Sequence, residues 1–153
     1  MKKLIKEILF PNDIWQLTPL IENILKRQLL KLPKREVSQV EQRYPTLPSG
    51  MRAFLDKFYA RHYFQVQNSL FDYLTSQEFL EVINSGKLQI LDIGSGPAVA
   101  SLAITDFIFQ LFHNISGYKR KPLEITYVLN DTSDICLGTG KEMLNNYFSN
   151  RSQ

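Results

Sequence analysis

Leu88-Gln89-Ile90-Leu91-Asp92-Ile93-Gly94-Ser95-Gly96-Pro97-Ala98 decides how the chain is read. An apolar run (Leu88, Ile90, Leu91, Ile93) carries one acid, Asp92, and breaks at Gly94 and Gly96. Val99, Leu102, Ala103 and Phe107 follow at helical spacing. That order is a strand, a tight glycine turn and a helix N-terminus, with a carboxylate fixed at the strand's end. The glycines let a ligand lie against bare backbone, and helix N–H groups and the carboxylate face it. A nucleotide-like cofactor is the expected occupant.

Downstream, the helix is predicted over 97–113, followed by a polar connector over 114–122. A second strand, Leu123-Glu124-Ile125-Thr126-Tyr127-Val128-Leu129, is rich in β-branched residues and ends in Asn130-Asp131. A last helix is expected from about Ser133 to Phe148, weakened by Gly138 and Gly140. Strand, helix, strand, helix implies parallel strands joined by a right-handed crossover. Two parallel strands leave both edges and a face to be covered. The expectation is therefore either partner strands from another chain, as in a homo-oligomer completing the sheet, or, the favoured reading, the N-terminal part of a larger protein.

Upstream, the first 86 residues read as helices punctuated by prolines. A short amphipathic helix over 2–10 stops at Pro11. Thr18-Pro19 places a capping residue before a proline at the first helical position. Leu20, Ile21, Ile24, Leu25 and Leu29 then form the stripe of a packed helix closed by Pro33. A weaker polar helix (Val37, Val40, Tyr44) leads to a loop over Thr46–Gly50. The helix predicted over 51–74 is strongly aromatic, with Phe54, Phe58, Tyr59, Tyr63, Phe64, Phe71 and Tyr73. Thr75 and Glu78 have capping-box spacing for the next helix, and Gly86 suits its C′ position.

The chain of 153 residues is 44% hydrophobic and 22% charged, which suits one folded unit rather than a disordered segment. No apolar run approaches the roughly 18–20 residues that cross a bilayer. The single cysteine, Cys136, rules out an internal disulfide and makes no metal cluster, so a reducing, cytoplasmic setting without a metal is expected. The net charge of +3 divides into +4 over residues 1–50 and −1 over 51–153. A solvated basic helix face explains that split more simply than a nucleic-acid surface.

Asp92-Ile93-Gly94-Ser95-Gly96-Pro97-Ala98 resembles motif I of class I S-adenosylmethionine-dependent methyltransferases, an acid followed by Gly-x-Gly-x-Gly at the end of the first strand. The resemblance covers residues 88–148. It implies an α/β architecture: an N-terminal helical region (1–86) followed by the first β-α-β-α unit (87–153) of a Rossmann-like methyltransferase sheet, truncated there. It also implies that Asp92, Gly94, Ser95 and Gly96 line S-adenosylmethionine, that Asp131 takes the ribose hydroxyls, and that a methyl group passes to an unknown acceptor, a small molecule slightly favoured. Weak or absent catalysis is expected of these residues alone. The third glycine position is Ala98, and Asp131 follows Asp92 by 39 residues, against roughly 20 between turn and acid in a compact dinucleotide unit.

The residues themselves favour the same cofactor over a dinucleotide. Pro97 removes an N–H from the place where a pyrophosphate would need it, and an acid two residues before the first glycine suits a cationic amine. Two alternatives stay open: a non-catalytic interaction module completed by a partner chain, and an NAD-binding oxidoreductase fragment.

No catalytic residue is identified. Tyr59 and Tyr63, four apart on one helix face, are candidates to cover the cofactor or substrate, with helix–helix packing the simpler reading. His62 is a weak candidate base because no acid accompanies it in sequence. His113 is expected to serve the helix dipole, Cys136 to pack on the sheet, and Trp15 to anchor the helical region.

Overall fold

The computed structural model describes residues 2–34, 45–114 and 122–150. The chain is mixed α/β and mostly helical. Strands β1 (Lys87–Ile93) and β2 (Glu124–Asn130) pair in parallel, with Lys87 opposite Glu124 and Ile93 opposite Asn130. Because the register is even, both strands finish at the same level, and the segments after Ile93 and Asn130 emerge side by side.

Six α-helices accompany this pair among the described residues. They are α1 (Lys2–Leu9), α2 (Pro19–Lys31), α3 (Pro48–Leu74), α4 (Gln77–Asn84), α5 (Val99–Asn114) and α6 (Asp134–Ser149). The expected polar helix at Val37–Tyr44 and most of the 114–122 connector lie outside the described residues. Each predicted element that is described exists, with small shifts at its ends.

The shifts have local causes. Helix α3 begins at Pro48 rather than residue 51, because proline suits a first turn whose N–H has no intrahelical partner. Helix α4 is capped by Ser76, whose hydroxyl accepts from the Phe79 N–H at 3.1 Å, and not by Thr75. Thr75 instead closes α3 by donating its hydroxyl to the Phe71 carbonyl at 2.7 Å. Helix α5 starts at Val99, so Pro97 and Ala98 belong to the turn before it.

Alternation along the strands decides which face is covered. Leu88, Ile90 and Asp92 of β1, with Ile125, Tyr127 and Leu129 of β2, point toward the helices. The opposite face carries Leu91, Ile93 and Val128, which are 64%, 75% and 53% exposed. The N-terminal helices do not cover that face. Helices α1 and α3 pack on α5, and α2 packs on α3 and α6.

Two hydrophobic clusters form as a result. One gathers Ile21, Ile24, Met51, Leu55, Leu102 and Met143 around three buried tyrosines, Tyr59, Tyr63 and Tyr147. The other joins Ile5 and Phe10 to Leu74, Phe79, Leu88 and Phe107. Both draw on residues before and after position 86, so the helical region and the strand–helix units share their cores. Trp15 is half-buried and stacks on Phe10, with ring centroids 3.8 Å apart.

Asp106 of α5 ties these helices together. It is fully buried, and its Oδ2 accepts from Tyr63 at 2.6 Å, Gln110 at 3.0 Å and Thr18 at 3.1 Å. Its Oδ1 accepts from Tyr147 at 2.8 Å. A carboxylate this buried is tolerated because its lone pairs meet donors from α2's cap, α3, α5 and α6. In the sequence its mark is the one charged residue in the mainly apolar run from Val99 to Phe109.

Candidate functional site

The turn after β1 alternates its backbone. Gly94, Gly96 and Ala98 have φ of +67°, +52° and +56°. Glycine takes this region freely, whereas an L-alanine there costs about 1–2 kcal/mol. The turn is also tied down. Ser95 N–H donates to the Asn130 carbonyl at 3.0 Å, and Ala98 N–H to the Ser95 carbonyl at 2.9 Å.

Two acids hold the ends of this turn. Asp131 Oδ2 accepts from the Gly96 N–H at 2.8 Å, while its Oδ1 accepts from the Ser133 N–H at 2.8 Å. Asp92 Oδ2 accepts from the Ser101 hydroxyl at 2.7 Å and the Ser101 N–H at 3.2 Å, which fixes it to the first turn of α5. Carboxylate oxygens have about four lone-pair sites between them, so Asp92, whose two bonds among the described residues both fall on Oδ2, keeps acceptor capacity for a ligand.

Helix α6 supports the turn from below at Gly140. A Cβ placed there would lie 2.9 Å from the Ala98 nitrogen, the Ala98 Cβ and the Pro97 carbonyl carbon. The glycine that weakens the helix by propensity thus permits its contact with the turn. At Gly138 a Cβ would meet nothing within 4 Å.

Between the turn and α3 lies a cavity of about 370 Å³. Asp92, Gly94, Ser95 and Gly96 form one wall, and Phe54, His62, Gln65 and Val66 of α3 form the other. Ser95 is 5% exposed, and its hydroxyl oxygen is buried with no hydrogen-bond partner among the described residues. A buried hydroxyl without a partner is costly unless something else meets it. Pro97 and Val99 complete the floor, so the wall is part bare backbone and part apolar.

Four of the sequence-expected site residues therefore meet in one cavity: Asp92, Gly94, Ser95 and Gly96. Asp131 adjoins them through Gly96 but is not in the lining. Tyr59 and Tyr63 are not there either. Both are fully buried and stacked on each other, on the α3 row Met51, Leu55, Tyr59, Tyr63 and Gln67 that faces the core. Burial, and then the Asp106 carboxylate, push both phenols well above their usual value of 10.0. Helix α3 does cover the turn, but with the neighbouring row that starts at Phe54.

On that row Phe58 and His62 stack with centroids 5.9 Å apart and planes 17° apart, while Phe54 meets both rings at 5.6 and 5.8 Å. The aromatic character of the helix is plain in the sequence, but the row that meets the cavity is not the one expected. The strict four-residue repeat from Met51 to Gln67 marks the core side, which leaves Phe54, Phe58 and His62 one step round the helix.

A second hollow of about 530 Å³ lies between β2 and α6, lined by Ile125, Tyr127, Leu129, Leu137, Lys141 and Phe148 among others. It is larger but mainly apolar, and brings no acid or glycine backbone together. Its Tyr127 phenol is pushed up to about 12 by burial. That phenol donates to Thr105, whose own hydrogen goes to the Ser101 carbonyl.

Among the described residues no three His, Cys, Asp or Glu side chains converge to hold a metal, and no helix is long and apolar enough to cross a membrane. Comparison of the chain with family models, curated proteins and solved structures finds no match. The chemistry of the cavity itself is what bears on function.

Proposed function

We propose that the chain binds S-adenosylmethionine against the glycine turn, as the N-terminal helical region and first β-α-β-α unit of a Rossmann-like methyltransferase of class I. The observation that carries this reading is the cavity wall of Asp92, Gly94, Ser95 and Gly96, in which the Ser95 hydroxyl is buried with no hydrogen-bond partner among the described residues. Asp92 accepts from the cationic amine of the cofactor's methionine end, and Ser95 donates to its carboxylate. Gly94 and Gly96 keep side chains out of the way, and Asp131 accepts from the ribose while it holds the Gly96 amide. When bound, the cofactor supplies an activated methyl group. The chain's residues orient it and exclude water on the α3 side.

Calorimetric titration with S-adenosylhomocysteine tests this. Binding in the micromolar range is expected, weakened at least tenfold by Asp92→Asn and several-fold by Ser95→Ala. Absence of binding by a folded chain would sink the reading. NAD serves as the dinucleotide control, and Pro97, which lacks an N–H for a pyrophosphate, is the reason to expect none.

A second reading rests on a different observation. The bare sheet face of Leu91, Ile93 and Val128 suits a binding module completed by a partner chain. A monodisperse monomer in sedimentation experiments, with cofactor binding intact, would count against it.

A further inference from the structure

The α3 wall of the cavity differs in chemistry from the turn. Phe54 and His62 line it, and Phe58 stacks behind His62 at 5.9 Å with nearly parallel planes. All three rings are half-buried, so none belongs fully to the core. His62 makes no hydrogen bond to any described residue, although it sits in the same cavity as Asp92 and Gln65. Aromatic rings with an exposed portion beside a polar floor recognise flat ligands, because stacked or edge-on rings gain beyond plain area burial. An imidazole with no hydrogen bond among the described residues offers a hydrogen-bonding nitrogen at the same place.

We infer that this row is the acceptor-recognition surface of the site, and that it takes a small planar aromatic compound bearing an O–H or N–H. Phe54 stacks against the ligand's ring, and His62 accepts its O–H or N–H. Phe58 is a positioning residue that fixes the imidazole plane. The cavity of about 370 Å³ is near the lower end of ligand sites, roughly 300–1,000 Å³, and its turn side is the proposed cofactor wall, so the α3 side leaves room only for a small acceptor. The inference rests on the methyltransferase reading for the acceptor's role, while the aromatic surface itself stands without it.

The chain has two histidines, which makes the test direct. His113 lies exposed in the last turn of α5 and outside the cavity, so it is an internal control. Phenol is titrated while the imidazole resonances are followed by NMR, with cyclohexanol as the non-planar alcohol of equal size. Phenol should move the His62 signals saturably and leave His113 still, and cyclohexanol should bind about two- to twelvefold more weakly. Phe54→Leu should remove that preference, so that phenol and cyclohexanol bind equally. Should that variant not fold, Overhauser contacts from phenol to the Phe54 and His62 rings of the unaltered chain answer the same question: their presence supports the surface, and their absence overturns it.

Equal binding of the two alcohols, or a His62 signal that neither moves, overturns the inference. If S-adenosylhomocysteine binds and phenol does not, the aromatic surface fails and the cofactor site stands. If phenol moves His62 and S-adenosylhomocysteine does not bind, the surface stands and the methyltransferase reading fails.

Discussion

Asp131 and Gly96 are joined by a 2.8 Å hydrogen bond from the Gly96 N–H to Oδ2, across 35 residues of sequence. Even pairing of β1 and β2 makes this contact, since Asn130 stands opposite Ile93 and the next residues meet. The same carboxylate caps the Ser133 N–H, so one side chain fixes both the glycine turn and the entry to α6. Asp131→Ala leaves both amides without that acceptor. A loss of about 2 kcal/mol in stability is expected, with faster exchange at the Gly96 amide. Urea unfolding and amide exchange would measure the two effects.

Gly140 and Gly138 should respond to alanine with opposite signs. At Gly140 the new Cβ meets backbone at 2.9 Å, so overpacking of about 1–3 kcal/mol outweighs the helix-propensity gain. At Gly138 nothing lies within 4 Å, and alanine should stabilise by about 0.5–1 kcal/mol. A pair of melting curves decides. Equal shifts for the two variants would mean that α6 does not press on the turn.

Tyr63→Phe removes a 2.6 Å hydrogen bond to Asp106 and should cost about 1.5–3 kcal/mol. The tyrosine also sets an alkaline limit. Its folded value is raised above 10.0, so its contribution is complete below that pH and is lost as pH rises toward the folded value. Unfolding free energies at neutral pH and about pH 11 should therefore fall more steeply for the unaltered chain than for Tyr63→Phe.

Glu142 of α6 pairs with Lys31 of α2, and that contact holds its carboxyl below the usual 4.5. The sign is the reverse of the tyrosine's. Its contribution is present above 4.5 and disappears as pH falls through the lowered value. Both side chains are largely exposed, so Glu142→Gln should cost under about 1 kcal/mol at neutral pH and nothing near pH 3.

Much of the fold was legible because its signals are local. Thr18-Pro19, the apolar stripe of α2 and the glycine break after Ile93 each act within a few residues. The end of β2 at Asn130 and the start of α6 after Ser133 were also legible. The cavity's turn wall was readable for the same reason, since Asp92 through Gly96 are consecutive.

Relations between distant segments were not. Which row of α3 faces the turn depends on how α3 lies across α5, so Tyr59 and Tyr63 went to the core and Phe54 and His62 to the cavity. The Thr75–Ser76 exchange arose because two adjacent hydroxyls can each cap, and the end of α3 claimed the first. Asp106 gathers partners from positions 18, 63 and 147, which no spacing rule connects.

Amide hydrogen exchange with and without saturating S-adenosylhomocysteine tests the proposed cofactor site most directly, because it reads location as well as binding. Slowed exchange over residues 92–101 and over the facing α3 segment 54–66, with no change over 137–148, is the predicted result. Unchanged exchange throughout, or slowing confined to the hollow between β2 and α6, would contradict it.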